Sequence, residues 1–522
     1  MKKLTFLPFI VLSSVAVAES VPEVVNALPA AESSPVSTTD NVLPQFSFEA
    51  QQARAAEWAK QAENIFQQEE EKRLKAQQLA EAQQRIQQEI GANQLQLATG
   101  TAKIYAENNF MPMWQDKSVE KIFLKEYAAF AASGVSAKAA KALQQILNVP
   151  NGLAKDILLT DSFLDYLYYN KNVLANANSW LYNLGSYRTK SPAQAHIDSW
   201  VKAVKNGSVG QFVANLVPRN HIYQETVQRL FSGAPMATAK AKKGKKGKHT
   251  AEDSATQAGG TSANFAKLAL NAQRLRLIPS FSNGIFVNIP SYQLYYFRDG
   301  QLVLQSKVIV GRDERRTPVM YSKLSNVVVN PPWNVPASIK NKDLVPKMRK
   351  DPSYVDRKGY EIIDSKGNKV NPHSINWAAY DSPEKNFPYH IRQKAGDDSA
   401  LGRYKFNMPS SDAIYLHDTP SRGLFNKNDR ALSSGCVRVA KADELATLLL
   451  KESGWSEQKK QGVLASKKTT SAPIRSDNPV YLYYVTAWVE NGKVHTLPDI
   501  YRFDKNLPRT TLDWAKIRTL IN

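Results

Sequence analysis

A single cysteine occurs in the 522 residues, Cys436, in the run Ser433-Ser434-Gly435-Cys436-Val437-Arg438. Nineteen residues upstream, His417 stands in Tyr415-Leu416-His417-Asp418-Thr419-Pro420. A thiol becomes a strong nucleophile when a neighbour lowers its pKa, and an imidazole is the usual device. Two small residues and a glycine before the thiol let the backbone turn tightly. The N–H groups of Gly435 and Ser434 can then point at a developing oxyanion. A free cysteine is more often a small buried hydrophobe. An exported chain with one thiol, however, makes no internal disulfide and gains nothing structural from it. The context therefore favours a nucleophile, Cys436, with His417 as its general acid and base.

Other residues near this pair admit two readings each. Arg438 binds a substrate carboxylate bidentately or braces the loop. Ser433 offers a hydroxyl, while Tyr415 and Trp333 are either cleft walls or core. Asp418 follows His417 directly, and adjacent strand residues face opposite sides. A backbone carbonyl is therefore expected to orient the imidazole, with Asp418 outside the triad. The remaining histidines, 196, 221, 249, 373, 390 and 495, are scattered without ligand spacing. They are read as structural, and neither metal nor cofactor is expected.

The elements that must position this pair follow from the rest of the chain. Lys2 and Lys3, an apolar run to Val15 and Ala16-Val17-Ala18 read as a cleaved signal peptide over 1–18. The apolar run is short of the roughly 20 residues that span a bilayer. Export to the periplasm of a Gram-negative envelope is expected. The net charge of +21 then points to anionic envelope polymers, and nucleic acid is excluded as a partner. Residues 19–47 read as a disordered tether rich in Pro, Ser, Val and Ala. Residues 48–96, rich in Gln, Ala, Glu and Lys, read as one long helix. Trp58, Ile65, Leu79 and Ile86 share a heptad position, but Lys72 interrupts the series. Weak coiled-coil self-association is the most such a seam supports.

Residues 97–233 predict a helical scaffold domain. Its aromatic run Phe163, Tyr166, Tyr168 and Tyr169 falls at helical spacing and is read as core. Six lysines between 240 and 248 mark a Lys/Gly-rich linker over 234–262. A short helix around Ala269 to Leu275 opens the last domain, 263–522, and β-type runs follow. Strands are expected at 285–289, 292–297, 302–310, 414–417, 480–489 and 495–503, with a helix over 441–452. Residues 337–400 are polar, basic and loop-rich, and read as an insert. The fold class is α+β multidomain: a helical N-terminal region and a mostly-β catalytic domain.

The site blocks together resemble the YkuD-type L,D-transpeptidases, and more closely their large periplasmic YcbB-type branch. The resemblance rests on Val287-Asn288-Ile289-Pro290, Val308-Ile309-Val310-Gly311-Arg312, Thr317-Pro318-Val319, Asn330-Pro331-Pro332-Trp333, Leu401-Gly402-Arg403-Tyr404-Lys405-Phe406 and the two runs holding His417 and Cys436. It covers residues 265–510 well and the helical region more loosely. It implies a β-sandwich-like domain whose insert 337–400 caps the cleft. It also implies peptidoglycan stem peptides as substrates and 3→3 cross-links made through a thioester on Cys436. In that scheme His417 protonates the departing D-Ala and deprotonates the incoming amine. Carbapenems are expected to acylate Cys436, and other cell-wall synthesis proteins are candidate partners. The chain departs from many relatives at Ser434 and Arg438, and no peptidoglycan-binding module is recognisable in it.

Three competing functions frame the test. Papain-like and NlpC/P60 peptidases place Cys before His, the reverse of the order here. An L,D-carboxypeptidase would keep the fold and use water as acceptor, trimming tetrapeptides to tripeptides. A wall-binding scaffold with an idle site would leave the Cys/His pair unexplained.

Overall fold

The computed structural model describes residues 47–232, 263–474, 477–509 and 512–522. The expected signal peptide, nearly all of the tether and the lysine linker lie outside the described residues. Two compact units divide the chain, 1–73 and 74–522. In the first, the described residues form the beginning of helix Phe48–Ile90, with Trp58, Ile65 and Phe66 exposed. The helix ends six residues before the expected boundary, at Gly91, whose positive φ suits a helix C-terminus.

In the second unit the heptad reading gives way to local packing. Ala82, Ile86 and Ile90 are buried in the core of the helical domain, so Ile86 is not available to an intermolecular seam. That domain is built from helices Ala98–Glu107, Lys117–Ser133, Ala139–Asn148, Leu153–Trp180, Gln194–Lys205, Val209–Ala214 and His221–Phe231. Asp116 and Asn220 cap two of them, each side chain accepting from backbone N–H groups in the first turn. Phe163, Tyr166 and Tyr169 are fully buried, as core residues at helical spacing should be. Tyr166 and Tyr223 donate to Glu126, which also pairs with buried Arg276 at 2.6 Å.

The boundary at 263 does not hold as a structural border. Helix Ala263–Leu275, the hairpin Ala487–Glu490/Lys493–Thr496 and helix Trp514–Ile521 all contribute to the helical domain's core. The expected last strand pair, 480–489 with 495–503, is accordingly replaced. Pro479–Tyr483 joins the main sheet parallel to Gly284–Asn288, and the chain then breaks away at Thr486. Thr486 is fixed there by Asn271 and Asp504. The hairpin turn is Asn491-Gly492, both at positive φ, the pair a tight two-residue hairpin demands.

The catalytic domain is one continuous eleven-stranded sheet that curls so that both halves bury a common core. Its central strands run in the order Asn326–Val329, Tyr404–Asn407, Leu416–His417, Val437–Val439, Gln301–Gly311 and Gln293–Arg298. Helix Ala442–Glu452 fills the concave side with Leu445, Ala446, Leu449 and Leu450. The insert is more ordered than its polar sequence predicts. Strands Trp333–Asn334, His390–Gln393, Tyr360–Ile363 and Lys369–Val370 form a separate sheet. Short helices around Leu344, Met348 and Val355 close a core of its own with Trp377, Phe387 and Ile391. Strands of two to four residues leave too little alternation to stand out in the sequence.

Candidate active site

Alternation along three adjacent strands builds the site. Tyr404 and Phe406, Leu416, and Val437 and Val439 point into the core. Their neighbours Lys405, His417 and Arg438 therefore share the opposite face. Register places Lys405 across from His417, and His417 across from Arg438, with buried Ile309 beyond. Cys436 enters the strand one residue earlier, beside Tyr415, whose carbonyl accepts from the Val437 N–H at 3.2 Å.

Buried His417 is oriented through Nδ1, which lies 2.5 Å from the carbonyl oxygen of Asp418. A carbonyl can only accept, so Nδ1 carries the proton and Nε2 is left as the base. The Asp418 carboxylate is engaged elsewhere. It accepts from the Arg403 N–H at 2.9 Å and pairs with Arg422. Gly402 adjoins it, where a Cβ would lie 2.4 Å from the carboxylate oxygen, so this loop admits only glycine.

The electrostatics keep the resting pair neutral. Burial, together with the nearby Arg438 and Lys405 cations, lowers the His417 pKa to about 3, against the hydrogen bond to the Asp418 carbonyl, which raises it. Burial raises the Cys436 thiol above its ordinary value. Tyr415 opposes that rise, as do the charges of Lys405 and Arg438. Among the described residues no hydrogen bond joins His417 to Cys436. The thiol is thus not held as a thiolate by imidazolium at rest. Trp333, the first residue of the insert's sheet, favours ionisation of the Tyr415 hydroxyl, whose pKa burial nevertheless keeps raised.

The loop before Cys436 corrects two expectations. The Gly435 N–H, expected at the oxyanion, donates to Ser433 Oγ at 3.1 Å. Ser433 itself is buried and donates to the Cys436 carbonyl at 2.6 Å, so its hydroxyl braces the loop and does not face a substrate. Ring closure across a tight turn explains both contacts, with Gly435 at φ +120°. The N–H groups of Ser434 and Cys436 donate to no other described backbone group. Ser434 Oγ accepts from Arg315 at 3.2 Å, and Arg315 pairs with Asp343 in the insert.

Three residues around the site have no role assigned to them in the sequence reading. Thr317 Oγ1 donates to the Gly435 carbonyl at 2.7 Å and accepts from the Gly311 N–H at 2.8 Å. Gly311 is required there, since a Cβ would meet the Arg315 carbonyl at 2.1 Å. Arg315 carried no sequence signal, because its partners are remote in the chain. Lys405 did carry one: a lysine between two apolar strand residues must project from the face opposite the core.

The chain's similarities agree with this geometry. Residues 282–474 match the family model of the L,D-transpeptidase catalytic domain, YkuD, and residues 99–230 match that of the Scaffold domain. A Haemophilus influenzae protein carrying the provisional name L,D-transpeptidase is 53% identical over 432 residues, 82% of this chain and 83% of that one. Among solved structures, that of the Ldtfm–avibactam carbamoyl enzyme is similar at 11% identity and a TM-score of 0.19. It covers 60% of this chain and 98% of that one, and no argument rests on it. With its catalytic and Scaffold domains both matched and a relative similar over most of its length, the chain belongs to the YkuD family of L,D-transpeptidases.

Proposed function

We propose that this protein is a periplasmic peptidoglycan L,D-transpeptidase that forms 3→3 cross-links through a thioester on Cys436. The observation that carries the reading is the placement of Cys436 immediately before the strand that pairs with that of His417, with Tyr415 beside the thiol. The self-cored insert and the helical domain support assignment to the YcbB-type branch, and the N-terminal sequence supports export.

In the first half-reaction Cys436 Sγ attacks the carbonyl carbon of the L-centre of diaminopimelate in a donor tetrapeptide. The thiol proton passes to His417 Nε2, and the Ser434 and Cys436 N–H groups hold the oxyanion. The C–N bond then breaks, Nε2 protonates the leaving nitrogen, and D-Ala departs. In the second, the side-chain amine of another stem attacks the thioester. His417 removes its proton and returns it to the sulfur, restoring the thiol. The thioester conserves the acyl energy, so no nucleotide is consumed. A closed insert would exclude water and favour the amine.

Mixing the purified protein with disaccharide-tetrapeptide tests the reading. A cross-linked dimer with loss of D-Ala, absent for Cys436→Ala, supports it. Tripeptide monomer alone would instead make the protein an L,D-carboxypeptidase.

A further inference from the structure

Two cations on the site face have no counter-ion. Neither Lys405 nor Arg438 forms an ion pair with any described residue. The acidic side chains of the loops around the site are committed elsewhere, Asp418 to Arg422 and Asp343 to Arg315. Lys405 lies over the ring of Tyr415, 4.2 Å from its centroid, and the surroundings of both cations are partly desolvated. Arg438 Nε is buried without a hydrogen-bond partner. Leaving such groups unpaired costs stability. A fold that keeps two of them beside a nucleophile reserves them for an anion.

We infer that Lys405 and Arg438, on either side of His417, bind the α-carboxylate of the terminal D-Ala of the donor stem. This rests on the transpeptidase reading above. His417 must reach the leaving nitrogen, and in D-Ala the carboxylate is one carbon from that nitrogen. Cross-strand neighbours of His417 stand about 5 Å to either side, which is where that carboxylate falls. The diaminopimelate and D-Glu carboxylates are more bonds removed from the leaving nitrogen. The acceptor amine of the second half-reaction also sits one carbon from a carboxylate, so the same pair would draw it to His417.

The test compares disaccharide-tetrapeptide with the same donor ending in D-alaninamide, using the parent, Lys405→Met and Lys405→Arg. A charge-assisted contact is worth roughly tenfold to a hundredfold. The parent should favour the acid over the amide by about that ratio in kcat/KM. Lys405→Met should bring the ratio to within about threefold of one, and Lys405→Arg should restore most of it. Because the readout is a ratio, effects of the substitution on thiol reactivity cancel. Equal use of both donors by the parent, or an unchanged ratio in Lys405→Met, overturns the inference. So does discrimination that follows amidation of the diaminopimelate or D-Glu carboxylate instead. Protection of Cys436 from iodoacetamide by each donor, read by intact mass, gives the same comparison without turnover. Failure to turn over either donor would overturn the transpeptidase reading alone, while stronger protection by the acid would still support the carboxylate site.

Discussion

Substituting His417 by Ala should leave the intrinsic reactivity of the thiol almost untouched while abolishing turnover. The structure sets the magnitude. His417 titrates near about 3, and Cys436 above an ordinary 9.0. Moving the proton from sulfur to imidazole at rest therefore costs at least about 8 kcal/mol. Attraction between the resulting charges at contact distance, with an effective dielectric near 20, returns about 4 kcal/mol. The net cost of about 4 kcal/mol leaves roughly one molecule in a thousand as thiolate–imidazolium. The assay is the rate of carbamidomethylation by iodoacetamide, which follows the thiolate fraction. For the parent, the logarithm of the rate should rise with a slope near one from about pH 6 to 9 and flatten below. His417→Ala should change the rate at pH 7 by less than about threefold, and lower donor turnover by at least about a hundredfold. A reactive plateau that extends up to about pH 7 and disappears in His417→Ala would refute the reasoning, because it would mean that the ion pair is a major species before substrate arrives.

Removing the Tyr415 hydroxyl in Tyr415→Phe deletes a polar group that favours the thiolate, and should slow alkylation at pH 7 by about fivefold. Its basic limb should move to higher pH. Asp343→Asn breaks the pairing with Arg315 that ties the insert to Ser434; hydrogen exchange should quicken over 337–350, and the ratio of tripeptide to cross-linked product should rise. In the helical domain Asp165 is buried, with Oδ2 unpartnered and Asp161 close by, and its pKa is raised to about 6. A carboxyl raised in the folded state contributes stability below its unfolded value, and that stability is lost as pH rises through about 6. Asp165→Asn should therefore gain about 2 kcal/mol on the parent between pH 4 and 7.5 in urea unfolding; a constant difference across that range would count against it. Incubation with a carbapenem should add the drug's mass to the parent and not to Cys436→Ala.

The site was legible where chemistry and strand period coincide. Cys436 and His417 stood out because one is the sole cysteine and the other sits on a short apolar strand. Asp418 was set outside the triad by the two-residue alternation that also puts Lys405 on the site face, a signal present but unused. Asn491-Gly492 is equally readable as a hairpin turn, yet the apolar run before it reads as one long strand. The break at Thr486 depends on Asn271 and Asp504, partners far away in sequence. The bracing roles of Ser433 and Thr317 arise from a loop folded back on itself, which side-chain type alone does not reveal. The insert's sheet was hidden for another reason. Its strands are too short to show a period, and its core draws single residues from segments dominated by Lys, Asp and Asn.

The central claim is acyl transfer from Cys436 to an amine. Intact-protein mass spectrometry during turnover of disaccharide-tetrapeptide, followed by analysis of the products, addresses it directly. The account predicts a covalent adduct equal to the donor less D-Ala, which decays as a 3→3 cross-linked dimer appears, and neither species with Cys436→Ala. Dimer formation that persists without the thiol, or turnover with no adduct at any time and no dimer, would contradict it.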